Sequence, residues 1–349
     1  MLDHARAFTA FALRQLGLLA GILLVAGTAV FFAMRAVPGD PVSLRLKNPD
    51  PVLVAAERAR LGLDRPLPAQ WWLHQRSFVS GDWGRSLTTG RPVREDFAEF
   101  FPATLELALA GLALGVMVGV ATAIGAEVFR AGWARAVSGL LGTLGLTVPV
   151  FWIGLLLLLG GSLALGWFPS GGRFDLAALP PPTRTGLLTL DALLAGDLAA
   201  FGTALLHLAL PAACLSLYPA AQVCAVLLAR LQDPKLRTLI TSLRARGLHP
   251  ARIALRHIAP VVSAPVITAI GSNFGALLGG AVLTETVFSW PGIGRYLVDA
   301  VINRDLYVVQ NVLLFVLMLV VVVVLAADFL ARLANPAGLR HGEDERAAA

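Results

Sequence analysis

Long stretches without charge set the strongest limit on how this chain can fold. Six regions contain no Asp, Glu, Lys or Arg, and the shortest of them run for 20 residues. A helix of roughly 20 apolar residues crosses the ~30 Å hydrocarbon core of a bilayer, so each region is long enough to hold a membrane span. The third and fourth exceed one span, and we expect each to combine one helix with an uncharged loop. The regions are Gln15–Met34, Leu107–Ala126, Ala136–Gly172, Leu198–Ala229, His257–Thr284 and Leu306–Ala327.

The composition also indicates residence in a membrane. Hydrophobic residues make up 57% of the chain and charged residues 14%, whereas soluble domains carry about 25% charged residues. The first apolar region is longer than the core of a signal peptide, and RAVPGDP follows it instead of a cleavage site with small residues, which favours an uncleaved helix. The sequence therefore predicts an all-α polytopic membrane protein with six transmembrane helices.

The distribution of positive charge predicts which side of the membrane each loop faces. Lys and Arg concentrate in the cytoplasmic loops of membrane proteins. The segment from Arg230 to Arg256 has seven Lys or Arg and one acid, Asp233. The loops 168–200 and 285–308 together have four basic and six acidic residues. We therefore expect both termini in the cytoplasm, and the net charge of +6 reflects this topology and calls for no nucleic-acid partner.

This topology divides the chain into three regions. Residues 1–100 are expected to hold the first transmembrane helix and a long outer loop. Residues 101–335 are expected to form a five-helix core, in which 230–258 is the cytoplasmic loop. Residues 336–349 are expected to be a cytoplasmic tail.

The outer loop contains signals for helices of its own. Asp50 is placed to cap a helix that begins at Pro51 and stops at Gly62. The adjacent Trp71 and Trp72 suit a helix that lies at the membrane surface, where indole rings are enriched. Packing of both rings inside the loop region is the alternative.

Small residues recur at helical spacing in two of the predicted spans. Such stripes let helix backbones approach closely in lipid. The second span has Gly111, Gly115, Gly119 and Ala123, and in the fifth the glycines are joined by polar side chains, which face protein or water inside a membrane. Both tight packing within one subunit and the wall of a subunit interface or pore remain open at this point. The residues of the fifth span are Gly271, Ser272, Asn273, Gly275 and Gly279.

The sequence contains no motif for catalysis. It has no GxxxxGKS/T phosphate loop, no HExxH zinc motif and no GxSxG nucleophile elbow. We interpret His207, alone in its span, as a packed or interhelical hydrogen-bonding residue. Cys214 and Cys224 are expected in one helix about 15 Å apart, too far for a disulfide. Because the spans hold almost no ionisable residue to carry a proton or sodium, uphill transport would draw its energy from another chain.

The segment with the densest positive charge has the pattern of two helices around a glycine. Its seven cations would cost on the order of 20 kcal/mol in hydrocarbon, so it is expected in the cytosol. Gly247 separates a short helix from a second one that begins at Pro250, with Ile253, Leu255 and Ile258 on its apolar side. Attraction to anionic lipid would explain the charge but not this arrangement.

The same segment resembles the cytoplasmic signature of ABC importer permeases, in the stretch SLRARGLHPARIALRHIAPVVSAPVIT. The resemblance implies that this segment docks on an ATPase subunit and transmits its movement, with Gly247 as the signature glycine. The coupling residues that the resemblance implies are Arg244, Ala245, Arg246, Gly247, Leu248 and His257.

Further blocks are similar to dipeptide/oligopeptide-type permeases, in particular to the subunit with the long first periplasmic loop. They include RAVPGDPV, GDWGRSLTTGRPV, FPATLELALA and LTETVFSWPGIGRYLVDAVINRD. The resemblance covers nearly the whole chain and implies the type I ABC importer permease fold, with cytoplasmic termini. It also implies that the turn after the fifth span helps to form a periplasmic gate. The gate residues are Glu285, Trp290, Pro291 and Gly292.

The resemblance also implies an assembly in the bacterial inner membrane. Its expected members are a second homologous permease subunit, two ABC ATPase subunits and a periplasmic or lipid-anchored solute-binding protein, with membrane lipids around them. ATP and Mg²⁺ are expected on the ATPase subunits, and no catalytic residue, metal or cofactor is expected in this chain. Di- or oligopeptides are the expected cargo. The alternatives are nickel chelates, glutathione or another small solute and, from a different class, a membrane scaffold or receptor subunit without transport.

Overall fold

The computed structural model describes residues 2–36, 50–60, 62–175 and 177–334. Within these residues the regular secondary structure is helical, and one isolated β-bridge joins Arg85 and Pro92, so the all-α prediction is confirmed. The predicted tail and the PGDP motif at 38–41 lie outside the described residues. The helices are α1 Leu2–Ala36, α2 Pro51–Arg60, α3 Leu67–Ser80, α4 Val93–Glu127, α5 Gly132–Thr147, α6 Val150–Leu157, α7 Leu188–Leu194, α8 Leu198–Leu231, α9 Pro234–Ala245, α10 Pro250–Arg252, α11 Ala259–Val287, α12 Ile293–Ile302 and α13 Leu306–Ala334; π-helical segments follow α6 (Leu158–Ala164) and α10 (Ile253–Ile258).

Five helical stretches of the described chain are long and apolar enough to cross a membrane. They correspond to the first, second, fourth, fifth and sixth uncharged regions. The third region is a pair of helical arms, α5 and then α6 with its π segment, bent by 115°. The five stretches are Gly17–Ala36, Val93–Glu127, Leu198–Leu231, Pro250–Val287 and Leu306–Ala331.

The two arms of the bent pair contact different levels of α8, which indicates that the pair continues in one direction along this span. A Cβ built at Gly145, on the first arm, would meet Leu217 and Ala221, whereas one at Gly161, on the second arm, would meet Leu210. Positions 210 and 221 lie about 16 Å apart along α8 at ~1.5 Å per residue. The prediction of six spans therefore agrees with the structure when the bent pair counts as one.

Pro149 accounts for the bend. A residue that precedes proline is driven out of the helical region, and Val148 is extended, with ψ of 131°. Pro149 then precedes the first turn of α6 with ψ of 133°. Both dihedrals interrupt the helix at the same place, so α5 ends and α6 begins in a new direction.

The chain divides into two compact units. The predicted division of the chain into 1–100, 101–335 and 336–349 stays a prediction, while in the structure residues 295–322 pack with residues 1–101. Aromatic packing is the reason: the ring centroid of Phe315 lies 4.4 Å from that of Phe97 and 5.5 Å from that of Trp83. The first unit comprises 1–101 and 295–322, and the second comprises 102–294 and 323–349.

In the first unit, the helix predicted after Asp50 is present as α2. The Asp50 carboxylate accepts a hydrogen bond from the Val52 amide at 2.9 Å, which caps the helix. Gly62 has φ of +66° and donates to the Ala59 carbonyl at 3.0 Å, as a terminating glycine does. Both predicted ends of this helix are confirmed.

The two adjacent tryptophans of α3 differ: Trp71 packs inward, and Trp72 has the exposure expected at a membrane surface. Trp71 is half-buried, and its indole N–H donates to the Thr28 hydroxyl of α1 at 3.0 Å. Trp72 is 62% exposed. Helix α3 therefore packs one side on the first span and presents the other outward, where an indole ring suits the membrane surface.

In the second unit, the glycines of α4 pack against α8. A Cβ at Gly115 would lie 2.7 Å from the Ser216 carbonyl oxygen, and one at Gly119 would lie 2.7 Å from that of Ala220. Only a residue without a side chain lets the two backbones approach this closely. Of the two interpretations left open for this stripe, packing within the subunit is the right one.

His207 and the two cysteines occupy the interior positions expected of them. The Nδ1 atom of His207, on α8, lies 3.1 Å from the carbonyl oxygen of Gly171, so the imidazole bonds a neighbouring loop. Cys214 and Cys224 are buried and form no disulfide. All three residues therefore serve packing within the second unit.

Candidate functional site

The segment predicted to be cytoplasmic forms two helices around Gly247, as the sequence predicts. Helix α9 begins after Asp233, whose carboxylate accepts from the Lys235 amide at 2.8 Å. Its apolar side is buried through Ile240 and Leu243, which belong to the core cluster of the second unit. The segment is therefore a folded protrusion with one face anchored in the core and the other exposed.

Gly247 ends α9 in a Schellman turn. Its φ is +78°, a left-handed conformation that costs a residue with a Cβ about 1 kcal/mol or more. The amide of Gly247 donates to Arg244 at 2.8 Å, and the amide of Leu248 donates to Leu243 at 3.2 Å. Gly247 is exposed, and a Cβ built on it would meet no atom within 4 Å. A glycine is thus required here by the turn, at a point that projects from the chain.

Arg244 anchors the protrusion to the end of α4. Its guanidinium donates to the carbonyls of Glu127, at 2.9 Å, and Val128. These carbonyls lie at the C-terminus of α4, where a cation interacts favourably with the helix dipole. Burial, and then the positive charge of Arg130, hold the pKa of Arg244 below its usual value. The inward contacts of Arg244 are a structural function that the sequence did not reveal.

Arg244→Ala is expected to destabilise the folded protein by about 1–3 kcal/mol, because charge-assisted hydrogen bonds to two backbone carbonyls are lost. Arg246 lies two residues further along and its side chain is exposed. Arg246→Ala removes the same charge, and should change stability by less than about 0.5 kcal/mol. Thermal unfolding of both purified variants measures the difference. Equal stabilities would contradict the anchoring function of Arg244.

The second helix differs from prediction in one respect. Ile253 and Ile258 are buried, but Leu255 is 76% exposed. The prediction that Leu255 shares their apolar side is wrong because the segment is π-helical, and residues five apart lie on one face of a π-helix. Leu255 thereby joins the exposed Arg252 and Arg256.

The six predicted coupling residues share one segment but not one surface. The exposed members form the outward side of the protrusion, and the others are half-buried. Their contact with an ATPase subunit stays a prediction. Ala245, Arg246 and Gly247 are exposed, whereas Arg244, Leu248 and His257 are half-buried.

The predicted packing or pore residues of α11 lie on more than one side of the helix. Gly271 is buried, and a Cβ there would overlap that of Ala327 on α13. Asn273 is 3% exposed and donates to a backbone carbonyl one turn earlier, at 2.7 Å. These two residues pack within the subunit.

Ser272 and Gly279 lie on the exposed side of α11, with Gly275 half-buried. A Cβ at Gly279 would meet no atom within 4 Å. The small side chains here are therefore not required by any contact with described residues of this chain. Their part in a subunit interface or pore stays a prediction.

The predicted gate residues form a largely buried turn. Glu285 is fully buried, and its carboxylate accepts from the Thr104 hydroxyl of α4 at 2.5 Å. That hydroxyl in turn accepts from the Ile293 amide at 2.7 Å. The indole N–H of Trp290, which is 1% exposed, donates to the Ala103 carbonyl at 2.9 Å.

Gly292 is pressed against this carboxylate. A Cβ built there would overlap Glu285 and lie 2.5 Å from the Thr104 hydroxyl oxygen. Pro291, in contrast, is exposed. We refer to Thr104, Glu285, Trp290 and Gly292 as the outer knot, because these residues join the turn after α11 to α4. The function of this turn as a gate stays a prediction.

An ion pair between Arg173 and the buried Glu106, at ends of spans predicted to face outward, was missed by the sequence analysis. Arg173 donates to the carboxylate of Glu106 at 2.5 Å, and the other oxygen of that carboxylate accepts from the amide and the hydroxyl of Thr189, both at 2.7 Å. Glu106 immediately precedes the second uncharged region and Arg173 immediately follows the third. Two opposite charges at the boundaries of successive uncharged regions were the sequence signal from which this ion pair could have been predicted.

Comparison with known proteins places these features in a family. Residues 111–337 match the family model described as "Binding-protein-dependent transport system inner membrane component". The di/tripeptide transport system permease DppB of Pseudomonas aeruginosa is 38% identical over 95% of this chain and 98% of its own length. The probable D,D-dipeptide permease DdpB of Escherichia coli is 38% identical over 88% and 92%. The glutathione permease GsiC of Pectobacterium atrosepticum is 35% identical over 94% and 97%.

Proposed function

The chain belongs to the family of binding-protein-dependent transport system inner membrane components, and from this we infer that it forms half of the translocation path of an ATP-driven importer for di- or oligopeptides. It is a multi-pass membrane protein and a transport subunit. We place it in the bacterial inner membrane. The peptide cargo is inferred from the relatives, since two of the three compared are dipeptide or di/tripeptide permeases.

The observation that carries this proposal is the folded protrusion around Gly247. It offers an exposed surface of α9 and the following turn, while Ile240, Leu243 and Arg244 hold its other side to the core. Because this surface is held to the core, a movement of a partner bound to it would be transmitted to the attached spans. In the proposed mechanism two ABC ATPase subunits bind ATP and Mg²⁺, and one of them docks on this surface. In this mechanism the chain supplies no catalytic group. The free energy for transport reaches it from the ATPase subunits, through coupling between two global states of the assembly.

The exposed side of α11 supports its assignment to the path or to a second subunit. Thr268, Ser272, Gly279 and Thr286 are all exposed at positions that recur along one side of the helix. Polar side chains within a span face protein or water more often than lipid. We therefore propose that this side of α11 faces a second, homologous permease subunit across the path. A solute-binding protein would deliver cargo from outside.

The proposal is tested by uptake of labelled di-, tri- and pentapeptides, in cells that lack this gene and in the same cells with the gene restored. Loss and recovery for one peptide length is the expected result. A restored gene that carries Gly247→Asp serves as the control for coupled transport. Recovery of glutathione uptake alone would instead favour the glutathione permeases among the relatives, and recovery of nickel-chelate uptake would favour that cargo. Unchanged uptake of all these solutes would contradict transport and favour a scaffold or receptor subunit.

A further inference from the structure

A cavity of about 350 Å³ lies in the first unit, and none of its lining residues belongs to the protrusion or to the outer knot. Arg35, in the last turn of α1, and Leu306, the first residue of α13, both line it. Both residues stand at ends of candidate membrane spans that the predicted topology places on the outer side. The cavity, which we call the outer pocket, therefore lies at the level of the lipid headgroups on the outer side.

Positive charge predominates around the outer pocket. Three arginines line it, Arg35, Arg60 and Arg85, against one acid, Asp82. The Arg35 guanidinium is held in place: it lies 3.5 Å from the centroid of the Phe31 ring and donates to the side chain of Gln70 at 3.0 Å. Guanidinium groups pair with phosphate and carboxylate oxygens by short, charge-assisted hydrogen bonds.

Buried polar side chains in the wall of the outer pocket lack partners among the described residues. Gln310 is 3% exposed, and its amide nitrogen has no hydrogen-bond partner; the indole N–H of Trp83 and the Nε2 atom of His74 are also unpaired. Burial, and then the charge of Arg35, lower the pKa of His74 to about 4, so the imidazole is neutral and keeps one N–H. An unpaired buried donor is costly, and a ligand rich in acceptors would satisfy such groups.

The wall is fixed by bonds to a buried acid, Asp305. Asp305 is fully buried and accepts from the Ser86 hydroxyl at 2.6 Å and from the Thr88 amide at 3.0 Å. The Asn311 side chain donates to the Trp83 carbonyl at 3.1 Å. These bonds tie the loop that carries Trp83, Arg85 and Ser86 to the first turns of α13. The arrangement is therefore largely preformed, as small-molecule sites usually are.

The surroundings of the pocket indicate where its ligand comes from. Helix α3, which contributes His74, also presents Trp72, Leu73 and Val79 outward, 62%, 37% and 87% exposed. Exposed apolar side chains beside cationic ones are typical of a surface that rests on lipid. A free anion would need the arginines but not this apolar border.

We propose that the outer pocket binds the phosphate group of an anionic phospholipid of the outer leaflet. The arginines pair with the phosphate oxygens, the unpaired donors of Trp83 and Gln310 complete the shell, and the acyl chains follow the exposed apolar side of α3 into the bilayer. The site thereby ties the outer loop of the importer to the membrane surface and makes its stability depend on lipid composition.

The experiment uses the purified full-length protein in nanodiscs of phosphatidylcholine, with or without phosphatidylglycerol. Thermal unfolding and retention of lipid in native mass spectrometry are the two readouts. We expect phosphatidylglycerol to stabilise the protein and to be retained. Retention should weaken about tenfold or more in Arg35→Gln/Arg85→Gln, since charge-assisted hydrogen bonds are lost. Arg94→Gln removes an exposed charge of the same unit that lies neither in the pocket wall nor on α3, and should behave as wild type.

A second variant keeps the test decisive if the double variant folds poorly. Gln310→Met preserves the size of the side chain but removes its unpaired amide. Without a bound anion this change should stabilise the protein equally in both nanodiscs, because an unpaired buried polar group is removed. With a bound phosphate it should reduce the extra stability given by phosphatidylglycerol.

Three results would overturn the proposal. The first is equal stability and equal lipid retention for wild type and the double variant. The second is a stabilising effect of Gln310→Met that is the same in both nanodiscs. The third is stabilisation by inorganic phosphate in phosphatidylcholine, lost in the double variant, with no effect of phosphatidylglycerol; that result would assign the pocket to a free oxyanion.

Discussion

Gly247→Asp is expected to lower peptide uptake by about tenfold or more, a coupling loss of at least ~1.4 kcal/mol, while the chain remains inserted and expressed. Gly247 projects from the protrusion with no atom of the described residues within 4 Å of a Cβ, so the added carboxylate enters the surface proposed to dock on the ATPase. Its negative charge also interrupts the basic segment. Uptake of labelled peptide at matched protein levels measures the loss.

Gly81→Asp is the matched control on the outer side of the membrane. Gly81 ends α3 with φ of +76° and also has no atom within 4 Å of a Cβ. Its amide donates to Phe78, and the next amide donates to Ser77, as in the turn at Gly247. Backbone strain and added charge are thus the same in both variants, and Gly81→Asp should retain uptake. Equal losses in the two variants would attribute the defect to strain, and normal uptake by Gly247→Asp would show that the coupling assignment is wrong.

Gly292→Ala is expected to destabilise the protein by about 3 kcal/mol or more and to lower its yield in membranes. The new methyl group would overlap the buried Glu285 carboxylate and crowd the Thr104 hydroxyl that bonds it. Neither group can move far, because the carboxylate is fully buried and the hydroxyl also accepts from the Ile293 amide. Overpacking costs about 1–3 kcal/mol, and breaking a buried hydrogen bond to a carboxylate adds to it.

The control for this variant is Gly279→Ala, in which the methyl group meets no atom within 4 Å in the part of the chain that the structure describes. Because alanine favours a helix over glycine by about 1 kcal/mol, the purified chain should be unchanged or slightly more stable. Thermal unfolding and membrane yield of the two variants give the comparison. A Gly292→Ala protein as stable as wild type would refute the tight packing of the outer knot.

Much of the architecture was predictable because it depends on local sequence. The long stretches without charged residues located the spans. Asp50 and Gly62 marked the beginning and the end of a helix of the outer loop. The turn at Gly247 was equally local, since it needs only a residue that tolerates a positive φ. Such features depend on a few neighbouring residues, so one sequence is enough to recognise them.

The contacts of the site were less predictable because they join distant parts of the chain. Glu285 and Thr104 are 181 residues apart, and Arg244 is 116 residues from the Val128 carbonyl that it contacts. Nothing in the local pattern around Arg244 indicates that its charge turns inward. Leu255 was misplaced for a different reason: a π-helical segment shifts the side-chain period, and an apolar pattern read with a period of 3.6 cannot register the shift.

The helical stretch from Pro250 to Val287 has a mechanical consequence. It runs for 38 residues through α10, the π segment and α11, roughly 55 Å at ~1.5 Å per residue and nearly twice the thickness of the hydrocarbon core. Its inner end adjoins the turn of Gly247, and its outer end carries Glu285. The stretch is thus long enough to act, in the proposed mechanism, as a lever between both surfaces of the bilayer. The two substitutions expected to be most damaging lie just beyond its opposite ends, Gly247→Asp at the surface proposed to dock on an ATPase subunit and Gly292→Ala against the buried Glu285 carboxylate.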